Sequence, residues 1–127
     1  MSFVLGKKDQ GFFFPISIPA VTDAGSTQTS KFEMKFRRLS RSKLAELQKQ
    51  QDIIGSGDAD VDTLERDTDW ILEVSEDWRH VNDPDGKPVP FNRDTLYTML
   101  DMFPNAASEI VKAFFNATFN GGAKKGN

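Results

Sequence analysis

The stretch from Trp78–Leu96 constrains the fold more than any other part of the chain. Within W-R-H-V-N-D-P-D-G-K-P-V-P-F-N-R-D-T-L, residues Asp83–Gly86 have the composition of a tight turn. Pro84 presets φ for the second turn position, and Gly86 accommodates a positive φ at little steric cost. The chain is therefore predicted to reverse direction here, over an exposed tip.

A helix is predicted to begin soon after this turn. The K-P-V-P-F arm stays extended, because the residue before each proline is disfavoured in the α region. Asn92 stands at N-cap spacing from Thr95, and Phe91 stands at the spacing of a hydrophobic staple with Leu96. One helix should thus end near Trp78, and the next should start at a fixed angle.

The N-terminal part has the alternation of a β-strand. In Phe12–Pro19 the apolar side chains at even positions share one face. Pro15 and Pro19 have the other parity, so both lack an N–H at the same strand edge. This pattern predicts an edge strand that pairs with a single partner.

The partner strand is predicted within Lys31–Leu39, where apolar and charged residues alternate. Ala20–Ser30 is polar, with Gly25 at its tip, and is predicted to be a long loop that is mobile or ordered by a partner. A two-stranded ribbon over residues 12–39 is marginally stable alone. Its apolar face is therefore expected to pack on the helices or on another subunit.

Helical periodicity follows the ribbon in four segments, at about residues 41–54, 60–78, 93–103 and 105–119. Ser40 stands at the N-cap of the first segment, and Pro104 separates the last two. The sequence predicts an α+β fold, with an N-terminal β-hairpin followed by about four helices, in a mainly helical single domain over residues 1–120. Residues 121–127 are predicted to be a flexible tail.

The last helix is apolar on two sides. Ile110 and Phe114 mark one face, whereas Val111, Phe115 and Phe119 mark a second. Phenylalanine is abundant, at 11 of 127 residues, and adjacent rings are not expected to face one core together. We expect a fold with this much apolar surface to cover part of it with a partner. The predicted contact residues are Phe12, Phe14, Ile16, Val111, Phe115 and Phe119.

Composition argues against several classes of protein. With 16 basic and 19 acidic residues, the chain has a formal net charge of −3 and no predicted basic face for a nucleic acid. It has no cysteine, so disulfides and thiolate metal sites are excluded. No apolar run approaches the roughly 20 residues of a membrane helix, and the start lacks a signal-peptide pattern. Neither a nucleic acid nor a membrane is expected as a partner.

Groups with catalytic or metal-binding potential have simpler structural explanations. Asp58, Asp60 and Asp62 match the first ligands of a calcium-binding loop, but Thr63 stands where that loop needs glycine. Acidic residues at a helix N-terminus account for the cluster. His80 is the only histidine, and no serine lies in a nucleophile motif. The sequence predicts no enzyme, no metal and no cofactor.

Three motifs carry a family resemblance: F-x-x-L-S-R-S-K-L at Phe36–Leu44, D-G-K-P-V-P-F-N at Asp85–Asn92 and L-Y-T-M-L-D-M-F-P at Leu96–Pro104. An acidic linker separates the first from the second. In this layout the chain resembles the tail assembly chaperones of long-tailed phages, most strongly over residues 70–119.

The resemblance implies a non-catalytic protein of the host bacterial cytoplasm that is absent from the mature virion. Such proteins bind the tape measure protein and keep it soluble while tail tube subunits are recruited. Many have a longer form, made by a programmed frameshift, which implies contact with the tail tube protein. Lys124 and Lys125 are compatible with a slippery codon run. A homo-oligomer is also expected.

The alternative interpretation is a permanent structural protein of the virion, such as a tail terminator or a head–tail joining protein. Stoichiometric presence in purified particles would distinguish it from a chaperone.

Overall fold

The computed structural model describes residues 11–50, 53–54 and 61–120. In the described residues, the elements in chain order are β1 (Phe12–Val21), β2 (Thr27–Phe36), α1 (Arg41–Gln48), α2 (Val61–Val74), β3 (Ser75–Arg79), α3 (Arg93–Met102) and α4 (Ala106–Phe119). The α+β prediction, with an N-terminal hairpin and four helices, is confirmed. The predicted tail at 121–127 and the acids Asp58 and Asp60 lie outside the described residues.

β2 is the central strand of a three-stranded antiparallel sheet with the order β1-β2-β3. β1 pairs with β2 over its whole length, and Ile16 lies opposite Phe32. Within the described ranges β1 has no second strand partner, as its two prolines predicted. The Pro19 carbonyl oxygen accepts a hydrogen bond from Asn105 Nδ2 at 2.9 Å, so the proline edge of β1 faces the start of α4.

The third strand corrects the predicted two-stranded ribbon and the predicted helix over residues 60–78. α2 ends at Val74, and Ser75–Arg79 pairs with β2 instead of continuing the helix. Trp78 lies opposite Met34, and its ring meets Phe32 edge-on with centroids 6.2 Å apart. The spacing of Val74 and Trp78 fits a buried helix face, but pairing with β2 buries both side chains as well. Tertiary contacts therefore override the periodicity.

The hairpin loop is shorter than the predicted irregular segment Ala20–Ser30. Both strands continue to Val21 and Thr27, and Gly25 lies in the connecting turn with φ of 85°. The side chains of Thr27–Lys31 are exposed. Polar composition misled the prediction, because backbone hydrogen bonds form a strand pair without burying these side chains.

α1 is shorter than the predicted helix over residues 41–54. Its N-cap is confirmed, because Ser40 Oγ accepts a hydrogen bond from the backbone N–H of Lys43 at 3.2 Å. The helix ends at Gln48, where the next two N–H groups bond carbonyl oxygens three residues back. Such bonds tighten and close a last helical turn. Ile54 is buried, yet it lies in a turn rather than in the helix.

The predicted turn and cap before α3 are confirmed. The N–H of Gly86, which has φ of 84°, donates to the Asp83 carbonyl at 2.9 Å. Asn92 and Thr95 form a capping box in which each side chain accepts from the other's backbone N–H, at 2.9 and 3.1 Å. Trp78 Nε1 donates at 2.7 Å to a carbonyl of the extended arm, which ties the arm to β3.

The apolar face of the sheet packs against the helices, which is one of the two predicted arrangements. On this face, Met34 and Phe36 of the central strand β2 are fully buried. Ile71 of α2, Leu96 of α3 and Phe114 of α4 are also fully buried and belong to the same hydrophobic cluster. The inner face of the sheet, α2, α3 and α4 therefore share one core.

Candidate partner-binding surface

The aromatic side chains of the sheet are in contact with those of α4. The Phe36 ring lies 6.0 Å from the Phe12 ring and 6.5 Å from the Phe14 ring, measured between centroids. On its other side it meets Phe114 edge-on at 5.3 Å. The predicted contact residues of β1 are therefore connected to α4 through Phe36.

The contacts continue along α4 to its end. Phe114 meets Phe115 at 5.2 Å, and Phe115 stacks on Phe119 at 5.8 Å with an interplanar angle of 8°. Trp70 of α2 lies 6.1 Å from Phe114 and 5.8 Å from Phe115. We call this set the aromatic cluster: Phe12, Phe14, Phe36, Trp70, Phe114, Phe115 and Phe119.

Trp70 also explains a prediction that was wrong. Adjacent rings were not expected to face one core, yet Phe114 and Phe115 are both buried. Because the indole lies against both rings, it extends the core around α4. In the sequence, Trp70 falls outside the apolar repeat of Ile71, Val74 and Trp78, so helical periodicity did not indicate this contact.

The six predicted contact residues differ in exposure. Ile16, Val111 and Phe115 are buried within the single chain, with at most 8% of their surface exposed. Phe12 and Phe14 are half-buried. Phe119 is 52% exposed at the end of α4. The second apolar face of α4 is thus mostly core, and Phe119 is its exposed part. A partner contact at these residues stays a prediction.

Other large apolar side chains are exposed outside the predicted set. Val21 is exposed at the tip of the hairpin, Met102 at the end of α3, and Ile53 in the turn after α1. The sequence analysis missed them because single apolar residues in polar surroundings are common on protein surfaces. Ile53 differs from the other two, since it borders a cavity.

This cavity, which we call the α1–α2 cleft, has a volume of about 400 Å³. Its apolar wall is formed by Leu47, Ile53, Ile54 and Trp70, and its polar wall by Gln50, Arg66, Asp69 and Glu73. Trp70 Nε1 is buried and has no hydrogen-bond partner in the part of the chain that the structure describes. No sequence pattern indicated the cleft, because the cleft depends on where α1 ends.

Two ion pairs lie at the polar wall of the cleft. Lys43 Nζ is 2.8 Å from Glu73, and Arg93 is 3.1 Å from Asp69. The hydrogen bond to Glu73, followed by the attraction of its charge, raises the pKa of Lys43. The first pair joins α1 to α2 and the second joins α3 to α2, so both position α2.

The outer face of the sheet carries charged side chains where β2 meets β3. Arg79 pairs with Glu33, and Lys35 Nζ lies 3.3 Å from Glu76, so ion pairs link β2 to β3. The Arg79 guanidinium also lies 3.8 Å from the centroid of the Phe13 ring. Between β2 and β3, this face is therefore held by ion pairs rather than by packed aromatic rings.

Comparison with models of protein families matches the whole chain, residues 1–127, to the phage tail assembly chaperones. The chain belongs to this family. Searches of curated proteins and of solved structures gave no match. The resemblance found in the three motifs is confirmed, and membership implies interaction with phage tail proteins.

In residues 11–50, 53–54 and 61–120, no group of three or more His, Asp or Glu side chains is placed to hold a metal ion. His80 follows β3 as an exposed residue with φ of 69°. Among the helices of the described part, none has the length and apolar character to cross a membrane.

Proposed function

We propose that this chaperone binds the tape measure protein of its phage and keeps it soluble while tail tube subunits are recruited. Membership of the family, over the whole chain, is the observation that carries the proposal. The tape measure protein is a long apolar helical protein, and burial of its apolar surface would be the driving force for binding.

The exposed end of the aromatic cluster supports this proposal with a suitable surface. Phe119 presents about half of its area to solvent, and its ring is held parallel to Phe115. A ring that is already fixed loses little conformational freedom when a client covers it. Phe12 and Phe14 are the other accessible members of the predicted set, whereas Ile16, Val111 and Phe115 support the surface from within.

The resemblance to the family supports the remaining parts of the proposal. The chaperone acts without catalysis in the host bacterial cytoplasm, assembles as a homo-oligomer, and is absent from the mature virion. A longer form, made by a programmed frameshift, contacts the tail tube protein. The nucleotide sequence tests this last part, which fails if no slippery heptamer lies near the codons of Lys124 and Lys125.

Co-expression with the tape measure protein of the same phage tests the function. We expect the tape measure protein to appear in the soluble fraction with the wild-type chaperone and to precipitate without it. Phe119→Asp should abolish this effect, because a carboxylate in an apolar contact must lose its hydration. Circular dichroism should show unchanged helix content.

Met102→Asp is the matched control. Met102 is 66% exposed and, like Phe119, is the last residue of its helix, but it lies outside the aromatic cluster. The control should solubilise the client as the wild type does. Equal loss of client solubilisation in both variants would show that Phe119 is not part of the contact. A client that stays insoluble with the wild type would contradict the proposed function. Stoichiometric amounts of this protein in purified virions would instead support the alternative interpretation, a permanent structural protein of the virion.

A further inference from the structure

Trp70, which lines the α1–α2 cleft, carries a hydrogen-bond donor that nothing in the described chain uses. Trp70 is 3% exposed, and its indole N–H has no acceptor there. The other tryptophan, Trp78, donates its indole N–H to the Val89 carbonyl at 2.7 Å. An unpaired buried donor costs free energy, so an acceptor that reached this N–H would gain a hydrogen bond without displacing another partner.

The stretch of sequence that includes α2 is strongly acidic. Residues 51–77 contain ten of the 19 acidic residues but a single basic residue, Arg66. The remainder of the chain has nine acidic and 15 basic residues, so the two charges are segregated. A formal net charge of −3 for the whole chain conceals this asymmetry.

α2 presents part of this charge as a stripe beside the cleft. Four exposed carboxylates recur at a spacing of three or four residues, which places them on one helix face: Asp62, Glu65, Asp69 and Glu73. Asp69 and Glu73 pair with Arg93 and Lys43. In the described structure, the other two carboxylates have no ion pair, so the stripe keeps a net negative charge.

We propose that the α1–α2 cleft binds a basic amphipathic helix. One apolar side chain of that helix enters the cleft against Leu47 and Trp70, and an oxygen of the helix accepts from the Trp70 indole N–H. Lysines or arginines at helical spacing face the acidic stripe, because side chains that repeat every turn on two packed helices can meet in register. The inference rests on the proposed function, since it names the chemistry of the client segment.

Two synthetic helical peptides of about 18 residues, long enough for five turns, test the inference. Both carry the same leucine stripe, but one has lysine and the other has glutamate on its polar face. We expect the lysine peptide to bind at least about tenfold more tightly, and we expect salt to reduce the difference, because exposed charges are screened. Fluorescence anisotropy of labelled peptides measures both affinities.

Matched charge variants locate the site. Glu65→Gln/Glu73→Gln should weaken binding of the lysine peptide by about three- to tenfold. Asp23→Asn/Asp85→Asn changes the net charge equally at two exposed turns away from the cleft, and should leave binding unchanged. The indole N–H signals in a ¹⁵N NMR spectrum give an independent readout. The Trp70 signal should shift on peptide binding, whereas the Trp78 signal should not.

Three results would overturn the inference: equal affinity for both peptides, equal weakening by the two variant pairs, or an unmoved Trp70 signal at saturation. A dimer that the Glu65→Gln/Glu73→Gln variant disrupts, without any peptide binding, would assign the cleft to a second copy of the chain. If the lysine peptide binds as expected but the tape measure protein stays insoluble, the proposed function fails and the cleft remains a helix-binding site.

Discussion

The two ends of the aromatic cluster differ in how completely the rest of the chain covers them. Phe36 is 0% exposed between β1 and α4, whereas Phe119 is 52% exposed and, among the described aromatic rings, stacks on Phe115. Phenylalanine thus contributes its apolar area to folding at the covered end of the cluster. At the exposed end, it leaves part of that area available to a partner. The number of phenylalanines in a sequence therefore does not measure its binding surface.

The largest effect is expected at the covered end. Phe36→Ala removes a ring that contacts Phe12, Phe14 and Phe114, and leaves a cavity in the shared core. We expect the free energy of unfolding to fall by about 3–5 kcal/mol, as for other buried aromatic truncations. Urea denaturation followed by circular dichroism measures the change. A loss below about 1 kcal/mol would contradict the description of Phe36 as the centre of the core.

Two variants compare neighbouring turns of α4. Phe115→Ala should lower the free energy of unfolding by about 3 kcal/mol, because Phe115 is 8% exposed and contacts Trp70. Phe119→Ala should change it by about 0.5 kcal/mol or less, as for other surface substitutions. Client solubilisation should nevertheless fall with Phe119→Ala. Equal destabilisation by the two variants would mean that the rest of the chain covers Phe119 as completely as it covers Phe115.

The parts of the fold that the sequence predicted correctly depend on local interactions. The turn before Gly86 and the capping box of Asn92 and Thr95 involve residues within four positions of each other. The edge position of β1 follows from Pro15 and Pro19, which lack the N–H needed for pairing on that side. Such features are readable because the same few residues supply both the signal and the structure.

The incorrect parts depend on distant residues. Ser75–Arg79 forms a strand because β2, some forty positions earlier in the sequence, pairs with it. Phe115 is buried because Trp70, from another helix, lies against it. A helical periodicity reports that a side chain is apolar, but it does not report which partner covers it. The sequence therefore identified apolar residues of α4 but not which of them the rest of the chain covers.

The cap of α3 provides an intermediate effect away from both ends of the cluster. Asn92→Ala removes the side-chain acceptor for the Thr95 N–H, and should lower the free energy of unfolding by about 1 kcal/mol. Asn92→Ser keeps an oxygen at the cap and should cost less. Neither variant should change client solubilisation, so both test whether lost stability alone impairs function. Loss of client solubilisation with Asn92→Ala would mean that lower stability alone impairs function. The effect of the Phe119 variants would then not be evidence for a client contact at the exposed end.

The smallest effect is expected at the ion pair between α1 and α2, beside the cleft. The hydrogen bond to Glu73 raises the pKa of Lys43 above its ordinary value of 10.5 in the folded protein. A raised pKa means that the pair stabilises the fold below about pH 10 and that this contribution disappears as the pH rises through the folded value. The difference in Tm between wild type and Glu73→Gln should therefore be constant from pH 7 to 9, by this linkage, and should shrink above about pH 10.5. Glu46→Gln, which removes the more distant partner of Lys43 at 3.8 Å, should give a smaller difference. A Tm difference that widens at alkaline pH would contradict the raised pKa of Lys43. It would mean that Glu73 stabilises the packing of α1 on α2 through contacts other than the charge of Lys43.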